Sequence, residues 1–453
     1  MSQNTPINKT EVVITEAFIT NARLSEVNKI DIAKIITDIS IHEHIGKPYL
    51  TAHIQFLDQE NILQDIDFQG GEKLTITLVH SENKEEGYSI TKDFLIDYTS
   101  KVIKSDERNE TVIIHCIEYH VFESSVKNIS RAYSGSPTQM IKKIMSEYLN
   151  KNAEIAGTDN IDNLKVVIPN LHPIEACEWL KNKAQSSFGL PYYFYSALGV
   201  DNLILKDLGT MLEQKPINLR TPYIYAPSVQ SSGESVQRFY SINKFSIEKT
   251  DNLLKLIRQG LVGAEYQFID TISNTNKKVD FRVDDDGFTK LTENNMLGGE
   301  NTKFVYAPEY AVDDIKISNH NSNVISQISS SGAYQNGPLT KSYKSYNDEV
   351  TASDHKKKIV SKSMENFLAK SPISITVNGR EFLSADANYS IGQIVRIVFL
   401  DNIQNDAEQR PIIDKKKSGD YIICGAKHVI KYERFDTVLL CGKLASFGEE
   451  ITI

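Results

Sequence analysis

Between residues 12 and 118 apolar and polar side chains alternate in short runs. Leu50, Ala52, Ile54 and Phe56 form one run and Leu74, Ile76 and Leu78 another, with similar stretches at 35–41, 93–98 and 111–117. A period of two over such lengths places every second side chain on the buried face of a strand. Gly70-Gly71 and residues 83–87 supply turns. No helical spacing intervenes, so this part of the chain predicts an antiparallel barrel or sandwich.

The period changes at Ser136-Pro137. Met140, Ile141, Ile144, Met145, Tyr148 and Leu149 then fall on one helical stripe, after a capping Ser and a first-turn Pro. His172-Pro173 opens a second helix with Ile174, Cys177, Leu180 and Ala184 on one face, closed by Gly189-Leu190-Pro191. Residues 192–195 and 202–206 read as a hairpin, making a small α+β insert. A short helix over 251–259 directs Leu253, Leu254 and Ile257 inward and stops at Gly260. Residues 318–354 are rich in Ser, Asn, Thr, Tyr and Gly and read as a long exposed excursion or a partly disordered arm. Helical spacing returns over 352–368 through Val360, Met364, Phe367 and Leu368, and strands follow from 373 to 444.

The chain repeats itself. Residues 92–104 (KDFLIDYTSKVIK) lie over 419–431 (GDYIICGAKHVIK) without gaps, pairing Ile96 with Ile423 and Val102-Ile103-Lys104 with Val429-Ile430-Lys431. With one gap, residues 111–114 meet 437–440. Upstream, 53–71 lies over 374–392, matching Ile54 with Ile375, Glu60 with Glu381, Asp65 with Asp386 and Gly71 with Gly392. Alternation alone explains the apolar matches but not the shared glycine, acids and Val-Ile-Lys. The fold class is therefore mainly β with α+β inserts: two related antiparallel β-barrels, one near each end, with a helical domain and an irregular insertion between.

Composition narrows the function classes without naming one. The 453 residues suffice for two to four domains of roughly 100–200 residues each. Fifty Lys plus Arg against 59 Asp plus Glu leave a net charge of −9, which gives no general reason to coat nucleic acid or an anionic membrane. No apolar run approaches a membrane span, and the first residues lack a secretory pattern. Cys116, Cys177, Cys424 and Cys441 are scattered and form no C-x-x-C pair, as expected of free thiols in a reducing cytoplasm.

Candidate chemistry is sparse. Asp284, Asp286, Gly287 and Glu293 fall at the spacing of a calcium loop, but Arg282 occupies the position of its first carboxylate, so a solvated acidic turn is expected. No G-x-S-x-G elbow or phosphate loop occurs. His115 and Cys116 are adjacent in a strand and point to opposite faces. His172 reads as a helix cap, and Glu175 and Glu178 suit the helix start. Lys356-Lys357-Lys358 and Lys415-Lys416-Lys417 read as solvated faces. No catalytic, cofactor or metal residue is assigned, no cofactor is expected, and the chain is expected not to be an enzyme.

The order of these patterns resembles the central hub subunit of the baseplate of contractile-tailed phages and, more distantly, the hub half of the type VI secretion spike protein. The resemblance lies in residues 36–78, 130–144 (SRAYSGSPTQMIKKI), 167–184 (VIPNLHPIEACEWLKNKA), 238–270 and 392–444. It implies tube-type barrels at 1–127 and at 236–262 with 370–453, a helical α+β domain at 128–235, and an insertion at 263–369. It further implies a homotrimer whose barrels make a pseudo-hexameric ring in the virion tail baseplate. That ring would join a trimeric central spike to the tail tube or tube-initiator proteins, with tape-measure and wedge proteins as further contacts. DNA would pass only through its channel, and no membrane is involved. The rival readings are a hub-spike enzyme that hydrolyses peptidoglycan and a receptor- or carbohydrate-binding tail protein. Against the latter, Trp179 is the single tryptophan and falls in a helix.

Overall fold

The computed structural model describes residues 12–446 except 24–25, 60–61, 63–69, 81–88, 105–109, 158–163, 185, 227–239, 248–252, 271–274, 294–302, 305–310, 330–351, 371, 384–388, 406–410, 415–416 and 432–433. The expected turn at 83–87, most of the 318–354 excursion, Lys415-Lys416 and the Glu60 and Asp65 matches lie outside the described residues.

The alternating segments form strands β1 (Val12–Arg23), β2 (Glu26–Asp31), β3 (Ile36–His44), β4 (Thr51–Asp58), β5 (Lys73–His80), β6 (Ser89–Lys104) and β7 (Glu110–Glu118). A short helix that the alternation did not announce, α1 (Tyr119–Ser125), follows. The insert then holds β8 (Ala132–Gly135), α2 (Pro137–Leu149), β9 (Ala153–Ala156), β10 (Leu164–Val167), α3 (Pro173–Lys181), β11 (Tyr192–Tyr195), β12 (Leu203–Asp207) and α4 (Leu208–Leu212). Ser136 caps α2 by accepting a bond from Gln139 N, with Pro137 in the first turn. On the α2 stripe Met140, Ile141, Ile144, Met145 and Leu149 are buried and Tyr148 is half-buried, and the hairpin β11–β12 is present.

Next come β13 (Tyr223–Tyr225), β14 (Lys244–Ile247), α5 (Leu253–Arg258), the hairpin β15 (Gly263–Asp270) with β16 (Thr275–Arg282), and a π-helical turn, Val283–Phe288, leading into α6 (Thr289–Glu293). On α5 the buried residue is Leu256, while Leu254 is exposed. The expected inward Leu254 is thus corrected: six residues make under two turns, and the packing of Leu256 sets the rotation. Short strands β17 (Lys303–Phe304), β18 (Ala311–Val312) and β19 (Ile315–Lys316) precede β20 (Val324–Ser329). β20 runs parallel to β15, so part of the expected excursion is a sheet strand. The chain ends with α7 (Ala352–Leu368), β21 (Ile373–Asn378), β22 (Ile394–Asn405), β23 (Pro411–Ile413), β24 (Gly419–Lys431), β25 (Arg434–Gly442) and β26 (Ala445–Ser446).

Fourteen strands share one sheet, in the order β14-β21-β25-β24-β3-β4-β7-β6-β5-β1-β2, with β22 on β24 and β13 and β23 on β22. Apart from the parallel β13–β22 pair its ladders are antiparallel, and no pairing among the described residues closes a barrel. Within it, β3-β4-β7-β6-β5 and β14-β21-β25-β24-β22 are two copies of one five-stranded unit. Ile96 sits opposite Cys116 and Ile423 opposite Cys441. Ala52 faces Cys116 as Ile373 faces Cys441, and Ile39 faces Ile54 as Phe245 faces Ile375. Each long strand carries a bulge one residue later, at Asp97 and at Cys424.

Two parts of the expected alignment are corrected. A second bulge at Ser100, whose hydroxyl donates to Ile113 O at 3.2 Å, moves β6 on by one residue. Val102 therefore faces Val112 and corresponds to His428, which faces Thr437, rather than to Val429. Likewise Ile114 corresponds to Leu439 and not Leu440, because Ile54 and Ile375 face these two residues. A slip of one residue would turn every side chain to the other face.

The core falls into two clusters. One lines the inner face of the large sheet, and the other packs α2 and α3 against the small strands of the insert. No helix among the described residues is long and apolar enough to cross a membrane.

Candidate assembly site

The two units meet where β24 of the second lies antiparallel to β3 of the first, from Gly425 opposite His44 to Lys431 opposite Asp38. Alternation sends Ile39, Ile41 and Glu43 inward from β3, and Ala426, His428 and Ile430 inward from β24. Two ionisable groups thus enter the core. A buried carboxylate loses several kcal/mol of hydration unless hydrogen bonds replace it. Here Glu43 Oε1 contacts His428 Nε2 at 3.2 Å, and Glu43 Oε2 accepts from Leu198 N at 2.8 Å. His428 Nδ1 lies 3.0 Å from Thr437 Oγ1. The network ties both units to the insert.

A second buried charge grips the same segment. Lys92 Nζ on β6 donates to Val200 O at 2.7 Å and pairs with Asp201 at 3.6 Å. Burial lowers its pKa. Nearby, Glu118 accepts from Leu50 N at 3.0 Å and lies 3.6 Å from His120, whose Nε2 donates to Pro48 O at 2.8 Å. Burial alone would raise the Glu118 pKa, but His120, the Lys92 charge and the Leu50 amide together hold it down at about 2.

The opposite face of the sheet carries a row of rings across four strands. His53 and His115 stand 3.8 Å apart by centroids, Tyr98 stacks on His115 at 4.4 Å, and His42 is 5.2 Å from His53. Desolvation, with help from Lys427 and His53, lowers the His42 pKa to about 4, and His53 is lowered by burial and by His115. Near neutral pH the His42 ring is therefore uncharged, and acid would place like charges side by side.

The residues singled out in the sequence serve packing. Cys116 is buried, and burial pushes its thiol pKa up, while His115 lies on the other face. His172 Nδ1 donates to Lys127 O at 2.8 Å, and Glu175 accepts from His172 N at 3.3 Å, closing the start of α3. Asp284 accepts from the Ser318 hydroxyl, and Asp286 accepts from Arg282 N at 3.0 Å and pairs with Lys356 at 2.7 Å. The structure does not bring Glu293 to them, and among the described residues no group of three ligating side chains could hold a metal. Lys417 pairs with Asp414 at 2.9 Å, and Lys183 lies over the half-buried Trp179 ring. Glu43 and His428 were missed. Their one local signal is an ionisable residue at an inward position of an alternating strand.

No protein-family model matches the sequence, and no curated protein matches it significantly. Solved structures do. The tail protein from Neisseria meningitidis MC58 is 10% identical with a TM-score of 0.51, over 96% of this chain and 97% of that one. The 43 kDa tail protein of prophage MuSo2 from Shewanella oneidensis is 9% identical with a TM-score of 0.51, over 94% and 98%. A weaker likeness, at 7% identity and a TM-score of 0.41, covers 94% of this chain and 78% of the Escherichia coli c3393 protein, a type VI secretion component. The first two likenesses span nearly the whole of both chains, so the chain has the fold of phage tail proteins.

Proposed function

We propose that the chain is the structural hub of a phage tail baseplate. In this reading three copies form a pseudo-hexameric ring that joins a central spike to the tail tube and leaves a channel for DNA. The observation that carries it is the duplicated five-stranded unit, joined edge to edge in one sheet. Two units in each of three chains supply six quasi-equivalent positions, the number a threefold-to-sixfold adaptor requires, and the tail-protein fold supports the placement in a virion tail. Each unit would form its tube-type barrel with neighbouring strands of the assembly. The role is mechanical, and no catalytic step is assigned to it.

Light scattering of the purified chain, alone and with the spike protein of the same tail, tests the reading. A trimeric mass, or a complex of three chains on one spike, is expected. A stable dimer with no trimer under either condition would overturn it. A turbidity assay on cell walls should show no lysis above buffer.

A further inference from the structure

The internal junction between the two units is a template for a contact that the described strands make only once. Each unit begins with one strand (β3 or β14) and ends its path with the far half of another (β6 or β24). In the second unit, β24 pairs with β22 over residues 419–422, turns at the Cys424 bulge, and is then covered by β3 over residues 425–431. In the first unit, β6 pairs with β5 up to Leu95 and bulges at Asp97 in the same way. From Tyr98 to Lys104, however, its outer edge has no strand partner among the described residues. The equivalent of β3 in the second unit is β14, and beyond its ladder with β21 it too has no strand partner among them. One end and one beginning are joined, and one of each remain.

Exposure follows this division. At the internal junction His428 faces Ile41, and the two are 0% and 1% exposed. Their counterparts are Val102 on β6 and Ile247 on β14, which are 48% and 53% exposed. Tyr98 and Ile103 on the same free edge are also exposed. Unpaired edges bearing apolar side chains are templates for strand addition.

We infer that the free edge of β6 in one copy pairs antiparallel with β14 of a second copy, in the register of the β24–β3 junction. Val102 then faces Ile247 of the next copy on the core side, Ile103 faces Ser246 and Lys104 faces Phe245. The contact is head-to-tail, since the surface given differs from the surface received, and such contacts close into rings or run on as filaments. That it closes after three copies rests on the hub reading above; the pairing itself rests on the two free edges.

Variants of the full chain with one added cysteine each test it, because both substituted side chains are exposed in the monomer. Val102→Cys and Ile247→Cys are mixed with a short bismaleimide at high protein concentration, with the parent chain as control for the native thiols. A cross-linked dimer is expected in the mixture and not with either variant alone, and the double variant should yield a covalent trimer. In parallel, Val102→Asp and Ile247→Asp should each keep the circular dichroism and melting of the parent while losing its assembled mass. Cross-linking within either variant alone would overturn the pairing, since it signals a symmetric contact. A trimer by light scattering with no cross-link in the mixture would also overturn it but leave the hub reading standing. A monomer throughout, with or without the spike protein, removes both.

Discussion

The carboxylate of Glu43 and the imidazole of His428 meet at 3.2 Å across 385 residues of sequence. They join the first strand of one repeat to the longest strand of the other, inside the core. Removing one partner of such a pair leaves the other buried without compensation, at a cost of about 3–5 kcal/mol, whereas apolar replacement of both is often neutral. His428→Ala and Glu43→Ala should each lower the urea midpoint strongly, and the double variant Glu43→Leu/His428→Leu should recover most of the loss. A loss in the double variant equal to the sum of the two single losses would show that the pair is not coupled.

Gly71 and Gly392 provide a matched pair of backbone tests. Gly71 N donates to Ile96 O and Gly392 N to Ile423 O, both at 2.8 Å, with φ of +100° and +74°. A side chain in this region costs about 1–3 kcal/mol. An added Cβ at Gly71 meets open space, but at Gly392 it would meet the buried Tyr195 hydroxyl. Gly392→Ala should therefore destabilise more than Gly71→Ala, as read by chemical unfolding of the two variants side by side.

Acid should loosen the sheet in two stages. His42 falls from its ordinary 6.5 to about 4 in the folded chain, so the unfolded state binds more protons between those values. Stability is then lost as pH drops from 6.5 towards 4. Glu118 falls from 4.5 to about 2, so its contribution is present above 4.5 and lost as pH falls towards 2. The urea midpoint measured from pH 7 to pH 3 should decline in both windows. His42→Gln should flatten only the upper one, and an unchanged upper slope would show that His42 is not its source.

The acidic turn offers a test of the calcium-like spacing. Asp286 is already held by Lys356 at 2.7 Å and by Arg282 N at 3.0 Å. Calorimetric titration with calcium should show no saturable heat. Lys356→Met should destabilise the chain by leaving a mostly buried carboxylate without its cation. Micromolar calcium binding that disappears in Asp284→Ala would reverse this assignment.

Much of this architecture was legible in local pattern. Alternation found the strands because a half-buried sheet imposes period two on its own residues. Ser136-Pro137 announced α2 because a cap and a first-turn Pro act within a few residues. The repeat was readable as far as Thr99 and Ala426, since Gly71, Gly392 and the two isoleucines mark a turn and a ladder that recur together.

Beyond that point strand pairing decided. The Ser100 bulge changes which residues face each other without changing which residues are present, so the repeated Val-Ile-Lys seemed equivalent in sequence and is not in the sheet. Leu256 rather than Leu254 turned inward because a helix of six residues takes its rotation from its neighbours. Glu43 and His428 found each other only when β3 and β24 became adjacent, and among the described residues that adjacency leaves the far edges of β6 and β14 without a strand partner. Periodicity and turn preference are properties of a few consecutive residues, and the sequence by itself determined them. Register, edge exposure and the pairing of buried charges depend on segments hundreds of residues apart, and only the tertiary structure brings those together.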